Sequence, residues 1–104
     1  MIYVTYDGNY TLAVVGHAGQ APAGQDIVCA GVSALVGSLA KMLEQNRPQC
    51  ERLGILLEQG CGCITVHPSC DFKEGCQRAF ETVLCGLEQI AKQYPSYIRL
   101  EKVM

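Results

Sequence analysis

Two side chains able to do covalent chemistry bracket one short stretch of this chain: His17 and Cys29, separated by Ala18-Gly19-Gln20-Ala21-Pro22-Ala23-Gly24-Gln25-Asp26-Ile27-Val28. A thiol that attacks a carbonyl needs little more than an imidazole to protonate the departing group, and both are present at the ends of one segment. From Gly16 to Gln25 the chain carries three glycines and Pro22 and almost no bulky side chain, so packing cannot anchor it and a surface loop is predicted. Asp26 then has the chemistry of a helix N-cap, which places Cys29 at the third helical position. A thiol in a helix's first turn meets unpaired amides and the positive end of the macrodipole, which favours the thiolate. Those amides are expected to donate to the cap or to a developing oxyanion.

Each of these residues also has a plainer reading. Cys29 alone is equally a small core hydrophobe in an apolar turn with Ile27 and Val28. A histidine at a strand end is commonly a surface or hydrogen-bonded structural residue. Asp26 serves first as the cap, with a second role in orienting His17 in the manner of a catalytic triad's third member. Ser33 follows Cys29 by four residues and so shares its helix face, where it lines the site or bonds back to a carbonyl.

The elements that must position these groups follow from periodicity. Ile2, Val4 and Tyr6 alternate with Tyr3 and Thr5, and the turn cluster Asp7-Gly8-Asn9 leads into a second strand over Tyr10 to Val15. A helix is predicted from Asp26 to about Asn46, with Val28, Val32, Leu35, Val36, Leu39, Met42 and Leu43 at helical spacing and Arg47-Pro48 as its stop. Gln59-Gly60 joins strands over Cys50 to Glu58 and Cys61 to Val66, with Leu53, Ile55 and Leu57 on one face. A second helix is expected from about Asp71 to Gln93, burying Phe72, Cys76, Phe80, Val83, Leu84, Leu87 and Ile90. Tyr94-Pro95 breaks it, and Tyr97 to Val103 closes as a strand. The fold class is α+β, in the order strand, strand, helix, strand, strand, helix, strand, with helices packed on a mixed β-sheet.

Composition sets the bounds. With 104 residues, 49% of them hydrophobic, the whole of 1–104 is expected to be one domain. A formal charge of -2 with scattered Lys and Arg argues against direct nucleic-acid binding. No apolar run is read as long enough to span a bilayer, and the start lacks the order of a secretion signal, so a cytoplasmic protein without a membrane partner is expected. Seven cysteines, an odd number, are read as reduced thiols rather than a disulfide framework. The grouping Cys61, Cys63, His67, Cys70 and Cys76 holds enough soft ligands for zinc but lacks a CxxC pair, and no metal site is assigned. The phosphate-cradling patterns GxxxxGK[ST] and GxGxxG are absent, and no cofactor is called for.

The residues Gly16-His17-Ala18, Ala21, Gly24, Asp26-Ile27-Val28-Cys29-Ala30 and Val32-Ser33 resemble the motif of the ribosomal-processing cysteine protease family, Prp. Length, element order and Tyr94-Pro95-Ser96-Tyr97-Ile98 before the last strand agree with it. The resemblance implies a homodimeric cysteine endopeptidase that removes the N-terminal extension of a large-subunit ribosomal protein, the twenty-seventh in the standard series. It implies Cys29 as nucleophile and His17 as general acid and base. Gly16, Ala18, Ala21 and Gly24 would belong to a substrate loop acting as a lid. The cysteine-rich half from Cys50 to Cys85 is not part of that motif and leaves room for redox sensitivity. Two other classes of function fit the residues: a ribosome-associated assembly factor that grips a peptide without cutting it, and a thiol-based redox or metal-binding protein. Each leaves the pairing of His17 with Cys29 to coincidence.

Overall fold

In the computed structural model, residues 1–16 and 26–102 are described. Five strands and two long helices follow one another as β1 (Ile2–Tyr6), β2 (Thr11–Gly16), α1 (Ile27–Gln45), β3 (Cys50–Glu58), β4 (Cys61–Pro68), α2 (Lys73–Gln93) and β5 (Ile98–Lys102). This is the expected α+β order. The strands form one sheet, in the order β3-β4-β2-β1-β5. All neighbours are antiparallel except β1 and β5, which run parallel, so the sheet is mixed.

The alternation in β1 is fully expressed, with Ile2, Val4 and Tyr6 buried and Tyr3 and Thr5 exposed. Asp7 builds the turn that follows: its Oδ1 accepts from the amides of Asn9 at 2.7 Å and Thr11 at 3.0 Å. Both helices lie on one face of the sheet. α1 buries Val28, Val32, Val36, Leu39, Ala40 and Leu43, and α2 buries Cys76, Phe80, Val83, Leu84 and Leu87. Phe80 is the largest fully buried side chain, stacked on Tyr6 with ring centroids 5.5 Å apart and met edge-on by Tyr10 at 5.8 Å. The helices approach each other closely through glycine. A Cβ at Gly31 of α1 would meet Ile90 of α2 at 3.1 Å, and one at Gly86 of α2 would meet the Leu35 side chain at 2.8 Å.

Several boundaries differ from the sequence reading. α2 begins at Lys73, after a 3-10 turn over Cys70–Phe72 in which the amide of Phe72 bonds back to the Ser69 carbonyl. No side chain caps α2, so nothing in the sequence marked that start. β4 runs through His67 to Pro68, because Cys50 and Arg52 of β3 pair with Pro68 and His67. Leu53, Ile55 and Leu57 do share a face, but burial falls along it: Leu53 and Ile55 are half-buried and Leu57 is 47% exposed. β3 is an edge strand, and its far end is not covered by a helix to the same degree.

One correction concerns membrane-spanning length. α1, at 19 residues, is long and apolar enough by length and composition to cross a membrane. Its glycines, alanines and serines interrupt any run of large apolar residues, so its mean hydropathy is high without an unbroken bulky stretch. In the fold its large apolar residues pack on the sheet as a core helix.

Candidate active site

The first turn of α1 is built around Asp26. Its backbone is extended, and its side-chain carboxylate accepts from the amide of Cys29 at 3.0 Å, while its carbonyl accepts the first helical bond from Ala30 at 3.0 Å. Asp26 is thus the N-cap and Cys29 the third helical residue, as the sequence indicates. Asp26 is only 9% exposed. Of the two roles expected for the first-turn amides, cap donor or oxyanion donor, the Cys29 amide takes the cap. The spacing that places a cysteine three residues after a capping aspartate also makes this bond, the signal that a sequence reading could have used.

Cys29 is half-buried and packs at the margin of the core. The position of its side chain follows from helix geometry. Gly31 and Leu35 mark the flank of α1 that faces α2. At about 100° per residue, Cys29 and Ser33 lie on the flank turned away from α2, toward the β3 side of the sheet. Ser33 is exposed there, so its hydroxyl is on the same side as the thiol. Gly37 continues the same flank, and a Cβ added to it would meet nothing within 4 Å.

Gly16 ends β2 and takes a backbone conformation suited to glycine, with φ +103°. Its amide donates to the carbonyl of Gly60 at 2.9 Å, which ties the start of the predicted loop to the β3–β4 turn. His17, Ala18, Ala21 and Gly24 lie outside the described residues.

The thiols of the second half do not form one cluster, although Cys50 comes close enough to Cys76 to add to the upward pull on its thiol. Cys61 and Cys63 are on the sheet face opposite the helices, exposed and half-buried, while Cys76 is on the buried face of α2 in the core. Burial pushes the Cys76 thiol up to about 11, and the Cys50 thiol is raised for the same reason. These are not the surroundings of a reactive sulfur. Among the described residues there is no group of three or more His, Cys, Asp or Glu side chains that could hold a metal ion.

Solved structures carry the same architecture. The chain is similar to the essential ribosomal processing protease Prp of S. aureus in complex with a covalently linked product peptide, with 24% identity, a TM-score of 0.78 and coverage of 97% of this chain and 96% of that one. The same protease in complex with a substrate peptide matches with a TM-score of 0.71. SMU.848 from Streptococcus mutans is 29% identical, with a TM-score of 0.72 over 98% of this chain and 93% of its own. No curated protein matches in sequence. At these identities the staphylococcal structures speak for the fold, whereas the family rests on the sequence itself. The model of the family described as cysteine protease Prp matches residues 1–99, and the chain therefore belongs to that family of cysteine peptidases.

Proposed function

We propose that this peptidase removes the N-terminal extension of a large-subunit ribosomal protein, the twenty-seventh, with Cys29 as nucleophile and His17 as general acid and base. The observation that carries the reading is the placement of Cys29: a cysteine of a cysteine-protease chain, in the capped first turn of α1, on the flank away from α2. Support for a peptide substrate comes from the staphylococcal relative, which has been captured with a substrate peptide and with a covalently linked product peptide.

The steps follow from the residue types. The Cys29 thiol passes its proton to His17, Sγ bonds to the scissile carbonyl carbon, and the carbonyl π pair moves to oxygen. With the Cys29 amide held by Asp26, the oxyanion falls to the amides of Ile27 and Val28, the first two helical positions. His17 delivers a proton to the nitrogen as the C–N bond breaks, leaving a thioester. The same imidazole then takes a proton from water, whose oxygen displaces sulfur and releases the acid. In this reading Asp26 holds the nucleophile's turn, Ser33 lines the same flank, and Gly16, Ala18, Ala21 and Gly24 belong to the substrate loop. The enzyme works in the cytoplasm as a homodimer. The sheet face opposite the helices supports the pairing, since it leaves Tyr3, Val15 and Leu56 exposed near Ala13 and Cys63.

The test is digestion of the ribosomal precursor read by intact mass. Wild-type protein is expected to shorten the precursor by its extension, and Cys29→Ser and His17→Ala each to abolish the shift. Cleavage at the wild-type rate by both variants overturns the assignment.

A further inference from the structure

Every second residue of β4 turns away from the helices. Gly62, Ile64 and Val66 are buried on the helix side, so Cys61, Cys63 and Thr65 project from the opposite face of the sheet. Cys61 is exposed, Cys63 is half-buried, and both are free thiols. The peptidase mechanism uses neither, since Cys29 belongs to α1 in the helix layer.

The spacing decides what these two sulfurs can do together. Two residues along an antiparallel strand advance about 6.8 Å, and side chains on one face leave it nearly parallel, so their Cβ atoms stand about as far apart. A disulfide needs its Cβ atoms within about 4.5 Å, so a regular strand cannot close one between these residues. The strand is regular here. Cys61, Gly62 and Cys63 pair in unbroken register with Val15, Val14 and Ala13 on one side and with Glu58, Leu57 and Leu56 on the other. The irregularity in the β3–β4 ladder lies at its other end, between Cys50 and Arg52. An ion held between the sulfurs relaxes the requirement. Two metal–sulfur bonds of about 2.3 Å in line span about 4.6 Å, and a lean of about 1 Å by each sulfur closes the difference.

The surroundings select the ion. Structural zinc takes four ligands, and among the described residues no group of three or more His, Cys, Asp or Glu could supply such a shell. The cross-strand neighbours Val15, Ala13 and Leu56 are apolar and give a hard cation no oxygen ligands. Glu58, opposite Cys61, adds negative charge that draws a cation to this end of the face. Monovalent copper is the soft ion that thiolates select, and two sulfurs in line satisfy it. We propose that Cys61 and Cys63 form a two-coordinate thiolate site for monovalent copper. Each thiol releases its proton to solvent and each sulfur donates a lone pair to the ion, which stays monovalent. The site is complete within one chain and on the sheet face away from Cys29, so it stands apart from both the catalytic reading and the pairing of two copies.

The experiment titrates the reduced full chain, under nitrogen, into the coloured complex of monovalent copper with bicinchoninate. Wild-type protein is expected to withdraw one copper per chain. Cys61→Ser and Cys63→Ser are each expected to weaken uptake roughly a hundredfold or more, the gain that joining two binding groups gives. Cys70→Ser, which removes an exposed thiol elsewhere, and Cys29→Ser are expected to keep wild-type uptake. X-ray absorption at the copper edge is expected to show sulfur neighbours only. Cys61 is exposed, so Cys61→Ser alone decides the matter should Cys63→Ser lower the melting temperature. No withdrawal by the wild type, uptake unchanged in Cys61→Ser, or uptake lost in Cys29→Ser overturns the site. Half a copper per chain, an ion shared between two copies, overturns it as well.

Discussion

Replacing Asp26 by alanine and by asparagine separates two things its carboxylate does. It accepts the Cys29 amide at 3.0 Å, and it places negative charge at the positive end of a 19-residue helix. Losing an N-cap acceptor costs about 1 kcal/mol, and losing a charge at a helix N-terminus about 0.5 kcal/mol. Asp26→Ala forfeits both, about 1.5 kcal/mol, which for a domain of this size lowers the melting temperature by about 6–12 °C. Asp26→Asn keeps the acceptor and forfeits the charge, so its drop is about a third as large and shrinks in added salt. The assay is thermal unfolding followed by circular dichroism at two ionic strengths, paired with the iodoacetamide rate at Cys29. The alanine variant frees the Cys29 amide and the turn around it, so its alkylation rate changes, while that of the asparagine variant stays near wild type. Equal destabilisation by the two substitutions refutes the capping argument, and so does an alanine variant as stable as wild type.

Three further outcomes are expected. Burial holds the Cys76 proton up to about 11, above the ordinary cysteine value at which the unfolded chain releases it. Its stabilising share is therefore complete below about pH 9 and is lost as pH rises through 11, about 3 kcal/mol in all, and Cys76→Ala should flatten that part of a urea-midpoint profile against pH. Gly16→Ala places a Cβ onto the Met1 carbonyl oxygen at φ +103° and is expected to cost about 1–3 kcal/mol, visible in the urea midpoint. Phe80→Ala removes the ring that Tyr6 and Tyr10 pack against and is expected to cost about 3–5 kcal/mol by the same measurement.

Much of the positioning frame is legible in the chain itself. The alternation of Ile2, Val4 and Tyr6, the Gln59-Gly60 turn and the apolar stripe of α2 each report a local period that tertiary packing reinforces. Asp26 is readable as a cap for the same reason, since capping is a local interaction. What escapes is non-local. The parallel placement of β5 beside β1 leaves no mark in either strand's composition. The direction in which Cys29 points depends on which flank of α1 meets α2, and that is set by Gly31 and Gly86, whose significance is apparent only when both helices are in place. Leu57 reads as core by its period yet is exposed because its strand is at the sheet edge.

β1 takes its hydrogen bonds from two sources of very different sequence distance: β2, a hairpin away, and β5, almost the full chain away. The amide of Ile2 is likewise received by the Tyr97 carbonyl at the far end of the sequence. A nascent chain that has made its first hairpin therefore carries a raw strand margin, with Ile2 and Val4 beneath it, throughout the time needed to complete the later helix. Such margins recruit other polypeptides. Docking of β5 closes that margin and moves the sheet's edge to a strand of five residues carrying Arg99, Glu101 and Lys102, the short and charged kind of edge that folded proteins tolerate.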